Sequence, residues 1–224
     1  MNTRTIQDAY LYFLQLVNRN ATNNNTNVSI DRFVLMFNSV QNRYVEWLLE
    51  KRNEDDIRDI QVLLEKDIPL SLTKELERFQ AYGLPTNYFD FANIYAKAKP
   101  ECCEEDDMLL FEVKSEDVEE LYFDSNTVPS FPYRESFYHF GNNEVILYRK
   151  DFGFTKVFLT YYRYPVQVDM EGYEFPDGTL SQSINPEFDA KVVDRIVMAL
   201  SKEYSAITTD TASYQMDKDR LFTI

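Results

Sequence analysis

The chain has one histidine, one tryptophan, two cysteines and five glycines in 224 residues. Each scarcity removes a class of chemistry. His139 lies between Tyr138 and Phe140 in a segment that reads as a strand. It is expected to be a packed or half-exposed strand residue, with no nucleophile in sequence context to serve. The few glycines build no phosphate-cradling loop, and neither a Walker-type loop, a dinucleotide fingerprint nor an H-E-x-x-H pair occurs. The cysteines are adjacent, Cys102-Cys103, a spacing that disulfide geometry disfavours. Without a C-x-x-C pair they support neither a disulfide framework nor a zinc site. A reducing compartment, no enzymatic activity and no cofactor are therefore expected.

Long apolar runs are missing too. Thr5 to Val17 is broken by Gln7, Asp8 and Gln15, so it reads as neither a signal peptide nor a membrane span. The Asn-x-Thr sites at Asn20 and Asn24 are then expected to carry no glycan. Basic residues are also scarce: 23 Lys and Arg face 38 Asp and Glu, a net charge of −15. A protein that wraps nucleic acid needs clustered cations to displace counterions from phosphates, and none occurs. DNA could pass such a surface without being gripped, or a basic partner could meet it.

What the chain does have is 16 Tyr and 17 Phe, enough for an aromatic core, a large protein interface, or both. Thr5 with Asp8 reads as a capping box for a first helix with Ile6, Tyr10, Phe13, Leu14 and Val17 on one face. An Asn-rich loop follows. Ser29 then caps a longer helix through Ile30, Phe33, Val34, Phe37, Val40, Tyr44, Trp47 and Leu48, spaced i, i+3, i+4, i+7. Acidic Glu54-Asp55-Asp56 opens a third, with Ile57, Ile60 and Leu64 inward, ending before Pro69. Residues 1–66 are therefore expected to form a three-helix unit.

Residues 67–211 read as β structure followed by a helix. Met108 to Lys114 suggests a strand, Ser115 to Leu121 a short helix, and Asn87 to Ala98 either. Phe137–Phe140, Glu144–Lys150 and Phe154–Tyr164 suggest an antiparallel three-strand meander, with turns at Gly141-Asn142-Asn143 and Asp151-Phe152-Gly153. Pro165 ends it. Asn185-Pro186 reads as the N-cap and first residue of a long helix to about Tyr204, broad enough on its apolar side to pack on the sheet. Residues 212–224 lack a helical stripe and read as an extended arm. The fold class is thus α+β: helical unit, meander, C-terminal helix on the sheet, extended tail.

Two stretches invite a functional reading. Residues 101–120 hold ten acidic residues against Lys114. The run Glu104-Glu105-Asp106-Asp107 lacks the alternate ligand spacing and glycine of a calcium loop. It reads as a solvated loop or as an acidic surface facing a lumen or basic partner. Tyr162, Arg163, Tyr164 and Pro165, at the end of the last strand, join the residue types enriched at hot spots. They either finish a strand or contribute to an interface.

Thr160–Met170 (TYYRYPVQVDM), Asn185–Leu200 (NPEFDAKVVDRIVMAL) and Ala212-Ser213-Tyr214-Gln215, with Asp124–Arg134 (DSNTVPSFPYR) before them, resemble neck ring proteins of crAss-like tailed bacteriophages. These are head-to-tail connector or adaptor proteins, and the likeness covers about residues 124–215. It implies a non-enzymatic virion protein, assembled in the bacterial host cytoplasm. Such a protein forms a ring, usually twelve-fold, that joins portal to tail and conducts DNA without sequence-specific binding. The expected partners are further copies of itself, the portal and other neck or tail proteins, with no membrane. Unlike the nearly all-helical adaptors, this chain carries a substantial β part. Read together with the ring it implies, the sequence puts Tyr162, Arg163, Tyr164, Pro165, Tyr214, Leu221, Phe222 and Ile224 at interfaces. High acidity also admits a DNA-mimicking inhibitor, and the likeness admits another tail or head-completion protein.

Overall fold

The computed structural model describes residues 3–18, 28–51, 57–100, 104–175 and 177–207. The chain divides into two units. Met1–Leu63 and Pro165–Ile224 form one, and Leu64–Tyr164 the other. The first is helical and built from both ends of the sequence; the second is a sheet carried between them.

In the helical unit, α1 (Ile6–Val17) begins as the capping residues require: Thr5 Oγ1 accepts the Asp8 N–H at 3.1 Å and donates to the Asp8 carboxylate at 2.7 Å. α2 (Ile30–Lys51) buries Phe33, Val34, Phe37, Val40, Tyr44, Val45, Leu48 and Leu49, the stripe expected from periodicity. The C-terminal helix, here α4 (Ala190–Ile207), packs on α1 and α2. Its buried Val192, Val193, Ile196, Val197, Leu200 and Tyr204 supply the third layer that two one-sided helices need. Phe13 links the layers, 5.3 Å from Phe33 and edge-on to Tyr204 at 5.7 Å. A fully buried Phe of this kind stabilises by about 2–3 kcal/mol relative to exposure.

Three expectations change here. The C-terminal helix belongs with the other helices and not with the meander, because its broad stripe matches their inward faces. It also starts at Ala190 and not at Pro186. Asn185 caps a different helix: its Oδ1 accepts the Ile6 N–H of α1 at 3.0 Å, one of the orphan donors of a helix start. Finally, no third α-helix runs to Pro69. Arg58–Leu63 is a 3-10 segment burying Ile60 and Leu63, and strand pairing takes over at Leu64. Arg195 fixes that segment, donating to Asp59 at 2.8 Å and to the Tyr44 hydroxyl at 3.2 Å.

The sheet unit has eight strands: β1 (Leu64–Pro69), β2 (Ser71–Glu75), β3 (Phe79–Gly83), β4 (Tyr88–Lys99), β5 (Asp106–Glu112), β6 (Glu135–Gly141), β7 (Glu144–Tyr148) and β8 (Gly153–Arg163). Their order is β1-β8-β4-β5-β6-β7-β3-β2, with every pair antiparallel except β5–β6. The two end strands are consecutive in sequence and joined by Leu70 alone, whose N–H still donates to Val157 of β8 at 2.9 Å. β1 and β2 thus act as one bent strand, pairing with β8 and then with β3, so the sheet curls until its ends meet. Three register shifts in the β4–β8 pairing assist the bend. Gln80 of β3 fastens the seam: its Oε1 accepts the Phe154 N–H at 2.7 Å. Inside lie Tyr82, Ile94, Ala96, Met108, Tyr138, Leu147, Phe154, Val157, Leu159 and Tyr161. Outside, the short helix α3 (Val118–Phe123) covers Phe137 and Tyr148.

The expected meander is therefore only a hairpin. β6 and β7 pair around Asn142-Asn143, where Asn143 has φ 58°. β8, however, pairs with β4 and β1, and the other neighbour of β7 is β3. Phe152 explains the difference. Its side chain is buried in the interior while Asp151 is exposed, so Asp151-Phe152-Gly153 is a connection tucked in by Phe152 and not a tight turn between paired strands. Asn87–Ala98, ambiguous in sequence, is the long strand β4.

Candidate interaction surface

The end of β8 is held tightly by the sheet. Tyr162 is buried and lies across from Leu64 on one side and Asp90 on the other. Arg163 Nε donates to Glu65 of β1 at 3.2 Å. Tyr164 stacks edge-on to Phe89 at 4.4 Å, and its N–H donates to the Asn87 carbonyl at 2.9 Å. Pro165 is buried. Of the four, Tyr164 alone is exposed, so it is the residue a partner could reach. Tyr214, Leu221, Phe222 and Ile224 lie outside the described residues, as do Cys102 and Cys103 and the arm expected at 212–224.

The acidic quartet sits where β5 begins, between strands that bring cations to it. Glu105 meets Lys156 at 3.5 Å and accepts the Thr155 hydroxyl at 2.9 Å. That hydroxyl, with Lys156 and Lys97, holds the Glu105 carboxyl below its ordinary range. Asp106 meets Arg134 at 2.6 Å and Asp107 meets Lys97 at 3.5 Å. Glu104 is exposed beside them. Three of the four charges are thus answered within the sheet. Beyond them on β5, Leu109 and Phe111 are exposed, as is Tyr133 near the start of β6.

His139 lies in β6 as expected, its ring 5.7 Å from Tyr148 and nearly parallel to it. Burial pushes its pKa down, favouring the neutral imidazole. Tyr82 and Tyr88 are pushed up to about 12, chiefly by burial and next by Glu75 and Asp90 respectively. Among the described residues, no three His, Cys, Asp or Glu side chains converge as a metal site would require. No helix among them is long and apolar enough to cross a membrane.

A second acidic stretch follows the sheet. Between Arg163 and Lys191 there are six acidic residues and no basic one. The first part of this segment is bound along α2. Asn38 both donates to the Val168 carbonyl at 2.9 Å and accepts the Val168 N–H at 2.8 Å. Gln41, almost fully buried, donates to the Val166 carbonyl at 3.0 Å. One signal for these was present: Gln41 occupies an inward position of the α2 stripe, where an apolar residue is expected.

From Asp169 to Ile184 the chain folds back on itself as a hairpin. Asp169 and Ile184 exchange both backbone hydrogen bonds, at 3.2 and 2.9 Å, and Phe175 N–H donates to Thr179 at 2.9 Å. Gly178 takes φ 83° near the tip, a left-handed conformation that glycine adopts without strain. Asp169 organises the base. Its Oδ1 accepts the Tyr173 hydroxyl at 2.6 Å and the Met170 N–H at 2.8 Å, and its Oδ2 accepts the Gln182 N–H at 2.9 Å. Burial works against this charge, but the three donors outweigh it and hold the carboxyl below its usual range. Tyr173 is pushed up to about 12 by burial and by Asp169. Phe175 and Leu180 near the tip are exposed.

The helical unit also has an open recess of about 470 Å³ lined by Thr3, Arg4, Asp8, Leu11, Tyr12, Gln15 and Ala190. Arg4 stands at its edge, 2.8 Å from Asp194 and over the Tyr12 ring at 5.0 Å. Comparison of the chain with protein-family models and with curated proteins finds no match.

Proposed function

We propose that this chain is a structural virion protein that forms a closed ring in the neck of a crAss-like tailed bacteriophage. It joins the portal to the tail and lets DNA pass. The observation that carries the reading is that both units expose large apolar side chains. Leu72, Leu76, Leu109, Phe111, Phe123, Tyr133 and Tyr164 are on the sheet unit, and Leu11, Leu35, Val166, Phe175, Leu180 and Ile184 on the helical unit. A head-to-tail ring needs two different patches on each subunit, and two such sets can supply them. The likeness at Thr160–Met170 and Asn185–Leu200 supports the same reading. Its partners are other copies of the chain, the portal and further neck or tail proteins. The net charge of −15 suits a channel that does not retain DNA.

A DNA-mimicking inhibitor would need rows of carboxylates left to imitate phosphates. The pairing of Glu105, Asp106 and Asp107 with Lys156, Arg134 and Lys97 weighs against that use of β5. Negative-stain microscopy and native mass spectrometry of the purified chain test the proposal. Closed rings, of twelve copies in the arrangement the likeness implies, are expected. A single subunit at every concentration would sink it.

A further inference from the structure

His139 is the one histidine of the chain, and the sheet leaves its two ring nitrogens in unlike surroundings. Nδ1 is buried and meets no hydrogen-bond partner. Nε2 is not cut off in this way, since the residue is only half-buried. The neutral ring therefore carries its proton on Nε2, where water can accept it, and keeps a bare lone pair at Nδ1. His139 shares the outer face of β6 with Phe137, two residues before it. Its ring stacks on Tyr148 at 5.7 Å. Tyr148 in turn packs on Phe137 at 4.9 Å and on Tyr122 of α3 at 6.4 Å. Through Tyr148, His139 thus joins the small cluster that holds α3 against the sheet.

The charged groups of the surrounding elements are engaged elsewhere. On β7 the residue across from His139 is Ile146, and Glu144, at the start of that strand, accepts the Thr73 hydroxyl at 2.7 Å. On β5, Glu112 lies across from Tyr138 and acts on the Tyr88 and Tyr138 hydroxyls. Lys114, just past β5, meets Glu116 at 3.9 Å. On α3, Glu119 acts on Tyr148 and meets Arg78 at 3.7 Å. Arg149, just past β7, is 3.0 Å from Glu75. None of these carboxylates accepts a hydrogen bond from His139, and burial is what pushes its pKa down. Acid must therefore add the second proton at Nδ1, making a charged donor with no acceptor. The Tyr148 ring face attracts that charge, but an unpartnered buried charge costs more than one ring face returns.

We propose that His139 is an acid-triggered release point: a proton taken up at Nδ1 loosens the β6–β7 hairpin and the α3 segment outside it, while the helical unit keeps its fold. This holds whether or not the chain forms a ring. The folded ring titrates below its unfolded value of about 6.5. Its contribution is thus fully present above that pH and is lost as pH falls through the folded value. The test uses the full chain labelled with 15N, in which one imidazole gives one titration. At about pH 7.5 the nitrogen shifts should show the proton on Nε2, and the midpoint should fall below 6.5. Between about pH 7.5 and 5, hydrogen exchange corrected for its intrinsic rate should show lost protection at Phe140, Val145 and Leu121. Amides of α1 and α2 should hold. His139→Phe, which keeps a ring on Tyr148, and His139→Gln should each remove the loss. A midpoint at or above 6.5 would mean that the Tyr148 stack stabilises the charge, and would overturn the proposal. A proton resident on Nδ1 at neutral pH would overturn it as well. So would an equal loss of protection in either variant, which would assign the loosening to other groups.

Discussion

The two acidic stretches look alike in composition and differ in what surrounds them. At the start of β5, Glu105, Asp106 and Asp107 each lie beside a cation that the folded sheet unit brings from elsewhere in the chain: Lys156 on β8, Arg134 just before β6 and Lys97 on β4. In the hairpin, Asp169 is held by three neutral donors, and Glu171 and Glu174 form no ion pair among the described residues. Charge density in a sequence therefore does not measure charge at a surface. Strand pairing brings distant residues of opposite sign together, as Lys97, Arg134 and Lys156 are brought to β5. The 169–184 hairpin brings Asp169 a hydroxyl and two N–H groups of its own and no cation.

The largest test of this contrast is at Asp169. Asp169→Ala strands the Tyr173 hydroxyl and two N–H groups, and should cost about 2–3 kcal/mol of local stability. Hydrogen exchange at Gln182 and Ile184 reads it directly, and unchanged protection would show that the carboxylate does not hold the base. The pH response follows from the same contact. The Asp169 carboxyl titrates below its unfolded value of about 3.9, so its contribution is present above that pH and is lost as pH falls through the folded value. Tyr173 is raised to about 12; its contribution is present below about 10 and is lost as pH climbs towards 12. Protection at the hairpin base should thus be broad and flat between about pH 4 and 10. A step near neutrality would contradict that assignment.

Smaller effects are expected on β5. Lys156→Glu places a carboxylate beside Glu105 and removes its partner. It should destabilise the sheet slightly at low salt and less at high salt, read by urea denaturation. Asp106→Asn, which loses one exposed contact with Arg134, should change stability by about 0.5 kcal/mol or less. If Asp106→Asn proved as damaging as Asp169→Ala, the distinction between the two stretches would collapse.

Local signals predict the parts of this fold that are local. Thr5 and the apolar stripe of Phe33, Phe37, Val40, Tyr44 and Leu48 specify α1 and α2 because a helix pairs with its own neighbours three and four residues away. Asn142-Asn143 specifies the β6–β7 hairpin for the same reason. The misreadings sit where distant partners decide. Ile57, Ile60 and Leu64 keep a helical spacing, yet Leu64 is claimed by Tyr162 of β8. Asn185 carries the chemistry of a cap, and it does cap a helix, but one that begins 179 positions earlier. The candidate site follows the same rule. The composition of Tyr162–Pro165 suggested an accessible patch, and only the pairing with β1 and β4 shows that most of it is held inside the sheet. Phe175 and Leu180 gave no periodic signal, since a hairpin of this kind is recognised by its turn and its cross-chain bonds.

The chain enters the sheet at Leu64 and leaves it just after Tyr162, and these two residues face each other across β1 and β8. Cross-strand partners lie only about 4.5–5.5 Å apart. To the helices, an insertion of about a hundred residues therefore has the footprint of a tight loop. A few residues of Gly and Ser could bridge the gap if the whole sheet were excised. In chain terms α1, α2 and α4 need only two adjacent chain ends, so a short linker in place of the sheet unit is expected to leave the helical unit folded.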